Sequence, residues 1–258
     1  RILGPVRAEW FLTQLEADRD CPRAKLSGLR FNAKPHPLVE LGGSRVVMFG
    51  GRGLPGMGLI DYATAFLALT ERPEDNQIAG FDASVLIPLP QNGLLRSVKL
   101  YVDAAGEDEA GYLPTKWAEL IGVQFNDIFK TGRTDVRIEY ADTHVPGYPG
   151  VFYSHSIYRS GYTYDGRVIG HHIGTDSRSL FLQVSHYLAD DLLVDVAYDR
   201  RTHRVNPSTR TTTNTFEVGV TYFPSEDWQV LGGYRFEQGS GRQGGDNHVV
   251  ELGLVRRF

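Results

Sequence analysis

The fold is decided by the last stretch of the chain, Val250-Glu251-Leu252-Gly253-Leu254-Val255-Arg256-Arg257-Phe258. Side chains alternate between the two faces of a β-strand, so Val250, Leu252, Leu254 and Phe258 share one face, which Arg256 interrupts. An apolar strand that ends on an aromatic residue is typical of the strand that closes an outer-membrane β-barrel, because its last ring lies at the membrane interface. The stretch therefore predicts a transmembrane strand.

Six other segments alternate in the same way between apolar residues and polar or small ones. They lie at 79–89, 98–103, 136–141, 192–199, 216–222 and 228–237. The second face carries full charges of both signs, which suits the wet interior of a membrane barrel better than the shared core of a β-sandwich. The pattern predicts an all-β fold, a transmembrane antiparallel β-barrel, and leaves the β-sandwich as the alternative.

About twelve strands are predicted, joined by connections that alternate in length. The strands lie near 5–16, 25–34, 38–48, 78–89, 96–104, 120–127, 135–143, 178–188, 191–203, 213–223, 227–238 and 247–258. The long connections lie at 17–24, 49–77, 105–119, 144–177, 204–212 and 239–246. Outer-membrane barrels have short periplasmic turns and long extracellular loops, so we expect both termini on the periplasmic side.

Two further expectations concern organisation. We expect a single barrel domain over 1–258. The Ala- and Leu-rich stretch near 59–70 contains neither Gly nor Pro and predicts a short helix folded over or into the pore.

Aromatic residues near the ends of the predicted strands predict a girdle at each membrane interface. The periplasmic girdle would hold Phe31, Phe125, Tyr222, Trp228 and Phe258, and the outer girdle Tyr140, Tyr198, Tyr234 and Phe236.

The composition argues against several other classes of protein. The 258 residues carry a formal net charge of -4, so no nucleic-acid partner is expected. No run of about 18 apolar residues exists, so no transmembrane helix is predicted. The single cysteine, Cys21, has no second cysteine with which to form an internal disulfide.

An ordered set of short fragments carries a family resemblance. The fragments are Gly4-Pro5-Val6, Gln14-Leu15-Glu16, 25–30, 34–37, 40–42, 75–82, 137–141 and 161–177. Together they resemble the Wzi family of capsule assembly proteins, from about Gly4 to Phe258. The resemblance implies a monomeric barrel in the outer membrane of a Gram-negative bacterium. It also implies a lectin that tethers capsular polysaccharide, without catalysis or a cofactor. Family barrels are larger, so the resemblance implies that the chain corresponds to their carboxy-terminal part and that the single barrel domain over 1–258 lacks their amino-terminal strands.

The candidate ligand site is the loop 144–177, which mixes aromatic and polar side chains. Sugar rings pack their C–H groups on aromatic faces, and their hydroxyls need fixed polar partners. The predicted polysaccharide-binding residues are Tyr153, Tyr158, Arg159, Tyr162, Tyr164, Asp165 and Arg167. The alternative is that these tyrosines pack the long loop into an ordered cap.

Other chemistries find less support in the sequence. His171 and His172 are adjacent and point to opposite faces in a strand, so no metal site is predicted. Ser154-His155-Ser156 is the nearest approach to an outer-membrane phospholipase site, but no third partner accompanies it. A porin or solute channel remains the alternative function. A lectin barrel should be occluded, for which the 59–70 segment is the candidate plug.

Overall fold

The protein is described by a computed structural model that covers residues 4–66, 74–110, 113–206, 209–240 and 245–257. In chain order the elements are β1 (Val6–Gln14), β2 (Lys25–His36), β3 (Val39–Phe49), α1 (Leu59–Phe66), β4 (Asn76–Pro88), β5 (Ser97–Ala110), β6 (Leu113–Asn126), a 3₁₀ turn (Ile128–Lys130), β7 (Thr134–Asp142), β8 (Thr163–Tyr164), β9 (Arg167–Val168), β10 (Ser177–Ala189), β11 (Leu192–Asn206), β12 (Thr209–Ser225), β13 (Trp228–Ser240) and β14 (Asp246–Arg256). Within these residues, twelve strands form one sheet in chain order, while β8 and β9 pair as a separate hairpin.

All twelve predicted strands are confirmed, but two predicted long loops are wrong. The segments 105–119 and 204–212 are mostly strand, since β5 continues to Ala110 and β12 begins at Thr209. Residues Thr209–Thr215 are mostly threonine, whose branched Cβ favours the extended backbone. Their polarity predicted a loop, but they form a strand because threonine has a high β-propensity.

The chain folds as two compact units. The first comprises Arg1–Ser84, Val102–Leu120 and Asp142–Ser177, and the second comprises Val85–Tyr101, Ile121–Ala141 and Arg178–Phe258. The expectation of a single domain stays a prediction.

The second unit shows the predicted alternation as rows that run across strands. One row aligns Val196, Val218, Tyr234 and Val250 on four neighbouring antiparallel strands. All four side chains are between 44% and 71% exposed. Such a continuous, exposed apolar face is what a barrel turns towards lipid.

The opposite face of the second unit carries charge. Arg235 lies between two strands that bear acids, with its guanidinium 2.9 Å from Glu217 and 3.4 Å from Glu251. Glu237 on the same strand lies 3.9 Å away. Mixed charges on this face thus pair with each other across strands, as expected for a polar barrel interior.

Aromatic side chains mark both ends of the apolar face in the second unit. At one end Tyr198, Phe216 and Phe236 form a row, with ring centroids 4.9 and 6.5 Å apart. At the other end the Trp228 ring lies 5.3 Å from the Arg256 guanidinium. This contact accounts for the arginine that interrupts the apolar face. The predicted girdle residue Phe258 lies outside the described residues.

A glycine in the second unit makes room for a ring from the neighbouring strand. A Cβ at Gly122 would collide with the ring of Tyr101, which lies across the glycine. The Tyr101 hydroxyl then reaches Glu139 on β7 and donates a hydrogen bond to its carboxylate. The missing side chain therefore lets one tyrosine span three strands.

The helix α1 confirms the predicted helix over Leu59–Phe66, while residues 67–70 lie outside the described part of the chain. Its placement differs from the prediction. The Tyr62 hydroxyl contacts Ser27 and accepts a hydrogen bond of 2.8 Å from the Trp10 indole. Ser27 shares its sheet face with exposed Phe31. The helix therefore packs on the outward apolar face of the first unit and not over its interior.

No helix among the described residues is both long and apolar enough to cross a membrane.

Placing a charge on the outward face should destabilise the second unit far more than placing it on the other face. We expect Val218→Arg to lower the free energy of unfolding from a bilayer by about 2–4 kcal/mol, because an arginine near the membrane midplane must leave water when the strand inserts. The matched control Thr221→Arg, on the opposite face, should change it by less than about 1 kcal/mol. The folded fraction measured by heat-modifiable gel mobility against urea tests this. Equal losses in both variants would contradict the assignment of faces.

Candidate functional site

The loop between β7 and β10 packs its aromatic residues inside the first unit. Phe152, Tyr158 and Tyr162 are 1%, 0% and 4% exposed. They form one hydrophobic cluster whose sheet-borne members are Leu26, Met48, Ile78 and Ala118. The strands present these residues on the face opposite to exposed Phe31 and Phe81. The loop, and not the helix α1, therefore covers the interior face of the first unit.

Two loop tyrosines have their hydroxyls bound to backbone carbonyls. The Tyr158 hydroxyl donates to the carbonyls of Gly50 at 3.2 Å and Glu74 at 2.9 Å. The Tyr162 hydroxyl donates to the carbonyl of Asn76 at 3.1 Å. Burial raises the pKa of both phenols. The structure therefore supports the packing interpretation for these two predicted site residues, because neither presents a face or a hydroxyl to solvent.

The two ends of the loop are fastened to each other. The Thr143 amide donates to the Ser177 carbonyl at 2.8 Å, and the Thr143 hydroxyl donates to the Gly174 carbonyl at 2.7 Å. Beside them the His144 imidazole contacts the buried carboxylate of Asp176. These contacts hold the loop closed at its base.

Arg19 supports the loop from below, and the sequence analysis missed it. Its side chain is buried and lies 3.4 Å from the Glu16 carboxylate. The guanidinium donates to the carbonyls of Gly161 at 2.9 Å and Thr163 at 3.1 Å. A buried arginine needs several acceptors, and loop carbonyls supply them. The 144-residue separation in sequence left no pattern by which this contact could be found.

Glu107 fixes the middle of the loop. It lies near the outer end of β5, beyond Leu100, the last exposed large apolar side chain of that strand. Its carboxyl accepts a hydrogen bond of 2.8 Å from the Tyr153 amide. Burial raises the pKa of Glu107 to about 8, and the Tyr153 amide and Lys116 only partly oppose this rise.

Tyr153 is half-buried and belongs to the same anchor. Its backbone adopts a left-handed φ of 67°, and its ring stacks edge-on against Phe152 with centroids 4.6 Å apart. Its hydroxyl accepts a hydrogen bond of 2.9 Å from the His171 amide. Gly170 lies directly under the ring, where any Cβ would collide with it. Tyr153 therefore connects two parts of the loop.

The remaining predicted site residues are exposed and three of them lie on one hairpin. Tyr164, 50% exposed, ends β8, and Arg167 begins β9. Asp165 and Gly166 form the two-residue turn with φ values of 47° and 74°, as such tight hairpins require. Arg159 is also exposed, and its guanidinium donates to the Ser156 carbonyl at 3.4 Å. The structure thus brings an aromatic, an acidic and a basic side chain together on the surface.

A second exposed aromatic side chain of the loop is not among the predicted binding residues. Tyr148 is 56% exposed, and the Lys116 ammonium lies 4.7 Å from its ring centroid. The sequence showed Tyr148 as one of many loop tyrosines, and nothing in it indicated its lysine partner. This pair offers a further aromatic and cationic contact on the first unit.

Ser154, the serine of the phospholipase-like Ser154-His155-Ser156 segment, has its hydroxyl bound to backbone carbonyls. The Ser154 hydroxyl donates to the carbonyls of Gly150 and Val151, at 2.5 and 3.1 Å. The His155 Nδ1 accepts a hydrogen bond of 3.2 Å from the Ile157 amide, and burial lowers the pKa of this histidine. In this arrangement His155 does not serve as the base for Ser154.

The two adjacent histidines lie close to each other. The ring centroids of His171 and His172 are 4.6 Å apart. Within the described ranges, no group of three or more His, Cys, Asp or Glu side chains has the geometry to hold a metal ion.

With this geometry established, comparisons with known proteins identify the family. The family model of the capsule assembly protein Wzi matches residues 1–243. The chain belongs to the Wzi capsule assembly family. A Klebsiella pneumoniae protein, described as an uncharacterized 55.8 kDa protein in the cps region, is 33% identical over 128 residues. The match covers 48% of this chain and 25% of that protein.

A solved structure shows the fold. Wzi of Escherichia coli is described as an outer membrane protein involved in group 1 capsule assembly and as a carbohydrate-binding β-barrel. It superposes with a TM-score of 0.78 at 22% identity, over 100% of this chain and 57% of its own. The predicted outer-membrane β-barrel fold and the outer-membrane location are confirmed. The chain therefore matches 25% of the length of the Klebsiella pneumoniae protein and 57% of the length of the Escherichia coli protein.

The buried and the exposed tyrosines of the loop should respond differently to truncation. We expect Tyr158→Ala to destabilise loop docking by about 3–5 kcal/mol, because it opens a cavity and leaves two carbonyls without their donor. Tyr164→Ala should stay within about 0.5 kcal/mol. Limited proteolysis of the folded barrel, with cleavage mapped within 144–177, measures the difference. Equal protection of both variants would contradict the observed packing.

Docking of the loop should weaken as the pH rises from about 4.5 to about 8. Across that window an undocked Glu107 is ionised, whereas the docked residue keeps its proton because its pKa is raised to about 8. Docking is therefore strongest below this window. Glu107→Gln keeps an acceptor for the Tyr153 amide and cannot ionise, so its loop protection should not vary with pH. Hydrogen exchange at several pH values, corrected for intrinsic rates, tests this.

The exposed carboxyl of Glu40 provides the control. The Glu40→Gln variant should retain the pH dependence of the unaltered chain. A flat profile in the unaltered chain would show that Glu107 does not couple protonation to docking.

Proposed function

We propose that the chain binds capsular polysaccharide at the cell surface and holds it there during capsule assembly. The observation that carries the proposal is the β8–β9 hairpin, which presents Tyr164, Asp165 and Arg167 to solvent on a support fixed by Arg19 and Tyr162. An exposed ring can pack on a sugar face, while the two charged groups bind hydroxyls or a charged substituent. Family membership and the carbohydrate-binding description of the related barrel support this function.

The site is a surface for binding and not for catalysis in this proposal. The exposed side chains lie on an open hairpin, and the engaged Ser154 hydroxyl offers no activated nucleophile. We propose a monomeric barrel without a cofactor, as the family resemblance implies. Of the seven polysaccharide-binding residues predicted from the sequence, we propose that four contact the polymer, namely Arg159, Tyr164, Asp165 and Arg167. The other three, Tyr153, Tyr158 and Tyr162, pack the loop that supports them.

Affinity for the polymer arises from repetition. A hydrogen bond to a sugar hydroxyl replaces one to water and contributes only about 0.5–1.5 kcal/mol. A single hairpin therefore binds one repeat weakly. A polymer that touches many barrels at once is retained because each further contact forms at high effective concentration.

Removing the exposed groups of the hairpin should weaken polysaccharide binding without affecting the fold. We expect the triple variant Tyr164→Ala, Asp165→Asn, Arg167→Gln to bind purified capsular polysaccharide of the source strain at least about tenfold more weakly, because three weak contacts are lost. Asparagine is chosen at 165 since it tolerates the left-handed turn. Binding of size-fractionated polysaccharide to the immobilised full chain measures the change.

The matched control places similar changes at the short-turn end of the sheet, with Tyr187→Ala, Asp190→Asn and Lys34→Gln. This variant should bind the polysaccharide as the unaltered chain does. Unchanged binding by the hairpin variant would remove the hairpin from the site. A stable open pore in planar bilayers would favour the alternative, a porin, because a barrel whose loop packs its interior should not conduct.

A further inference from the structure

A cationic cavity lies on the outward side of the first unit, away from the loop 144–177. Lys25 pairs with Phe49 in the β2–β3 register, and both share their sheet face with exposed Phe31. The cavity encloses about 350 Å³ at the end of the strands where the long connections lie. Its lining comprises Arg23, Lys25, Phe49, Gly50, Gly51, Arg52, Leu54 and Gly56.

The charged side chains that line this cavity are all cationic. Arg23, Lys25 and Arg52 are exposed, and no acidic residue lines the space. Across the residues that the structure describes, none of the three cationic groups forms an ion pair. Three cations around one cavity repel each other, so an anion that enters it is stabilised by all three.

The backbone holds the two contributing segments together. The Arg52 amide donates to the Pro22 carbonyl at 2.8 Å, and the Arg23 amide donates to the Glu16 carbonyl at 3.0 Å. Behind them the buried Cys21 thiol donates to the Gly50 carbonyl at 3.4 Å, and a Cβ at Gly51 would lie 2.6 Å from its sulfur. The arginines therefore project from a fixed frame.

Exposed apolar groups follow the cavity along the chain. Leu59 and Ile60, at the start of α1, are 90% and 80% exposed. They come three residues after Gly56, which lines the cavity. Because α1 packs on the outward face through Tyr62, this apolar pair lies on the membrane side of the first unit. An anion site and an apolar pair on that side together match an amphiphile.

We propose that this cavity binds the phosphate group of an anionic glycolipid in the outer leaflet, whose acyl chains contact Leu59 and Ile60. Arginine donates two parallel hydrogen bonds to a phosphate, and cations close to an anionic surface are attracted to it. An acidic polysaccharide would also provide anions. The outward position and the apolar pair favour the lipid, since a hydrated polymer gains nothing from either. The site would attach the first unit to the leaflet, separately from polysaccharide binding.

The test compares a variant of the cavity with one at the opposite end of the strands. The full chain in detergent is titrated with diphosphorylated lipid A, with its dephosphorylated form and with inorganic phosphate, and binding is followed by native mass spectrometry. Lys25→Gln with Arg52→Gln should weaken lipid A binding at least about tenfold, because each charge contributes about a factor of five. Lys34→Gln with Arg257→Gln should leave it unchanged.

The dephosphorylated lipid should bind weakly and equally to the unaltered chain and to both variants. Arg52→Glu provides a single reversal that should also reduce binding, and gel mobility verifies folding. Equal lipid A affinity in the unaltered chain and the cavity variant would overturn the proposal. So would inorganic phosphate that binds as tightly as lipid A. Loss of acidic polysaccharide binding with lipid A binding intact would assign the cavity to the polymer instead.

Discussion

Within the hydrocarbon of a membrane every backbone N–H and C=O must be paired inside the protein. This constraint explains why the twelve strands of the sheet each pair with the neighbouring strands of that sheet along the chain. It also explains the rows of the second unit, where Val196, Val218, Tyr234 and Val250 align because the ladder fixes their register. Because the backbone groups are paired within the sheet, the side chains of one face can contact lipid while those of the other face form ion pairs.

Outside the membrane water can also bind backbone groups, so the loops can adopt irregular structures that differ from the sheet. The loop 144–177 has little regular structure of its own apart from one short hairpin, and it is ordered by side chains reaching backbone carbonyls. Tyr158, Tyr162 and Arg19 each donate hydrogen bonds to backbone carbonyls in or beside the loop. The same contacts that bury one side of the loop orient its other side. The buried residues of the loop therefore fix the orientation of its exposed hairpin.

The strands could be predicted from the sequence because alternation is a local pattern that survives in any sheet. The site could be predicted only in part. Loop tyrosines look alike in sequence, yet Tyr158 is wholly buried and Tyr164 half exposed, since the difference depends on carbonyls at Gly50 and Glu74 far along the chain. The helix near Leu59 was predicted from composition, but its position depended on a hydroxyl contact at Ser27. Local chemistry thus indicated which residues matter, and long-range packing decided what each of them does.

The burial of Cys21 has a consequence for the path of the protein to the cell surface. The thiol is 4% exposed, and desolvation raises its pKa, so it stays protonated and out of reach of other sulfurs. A thiolate is the species that attacks disulfides. An outer-membrane protein crosses a compartment that oxidises exposed thiols. Once the first unit has folded, its only cysteine is inert there, and neighbouring copies do not become covalently crosslinked through it.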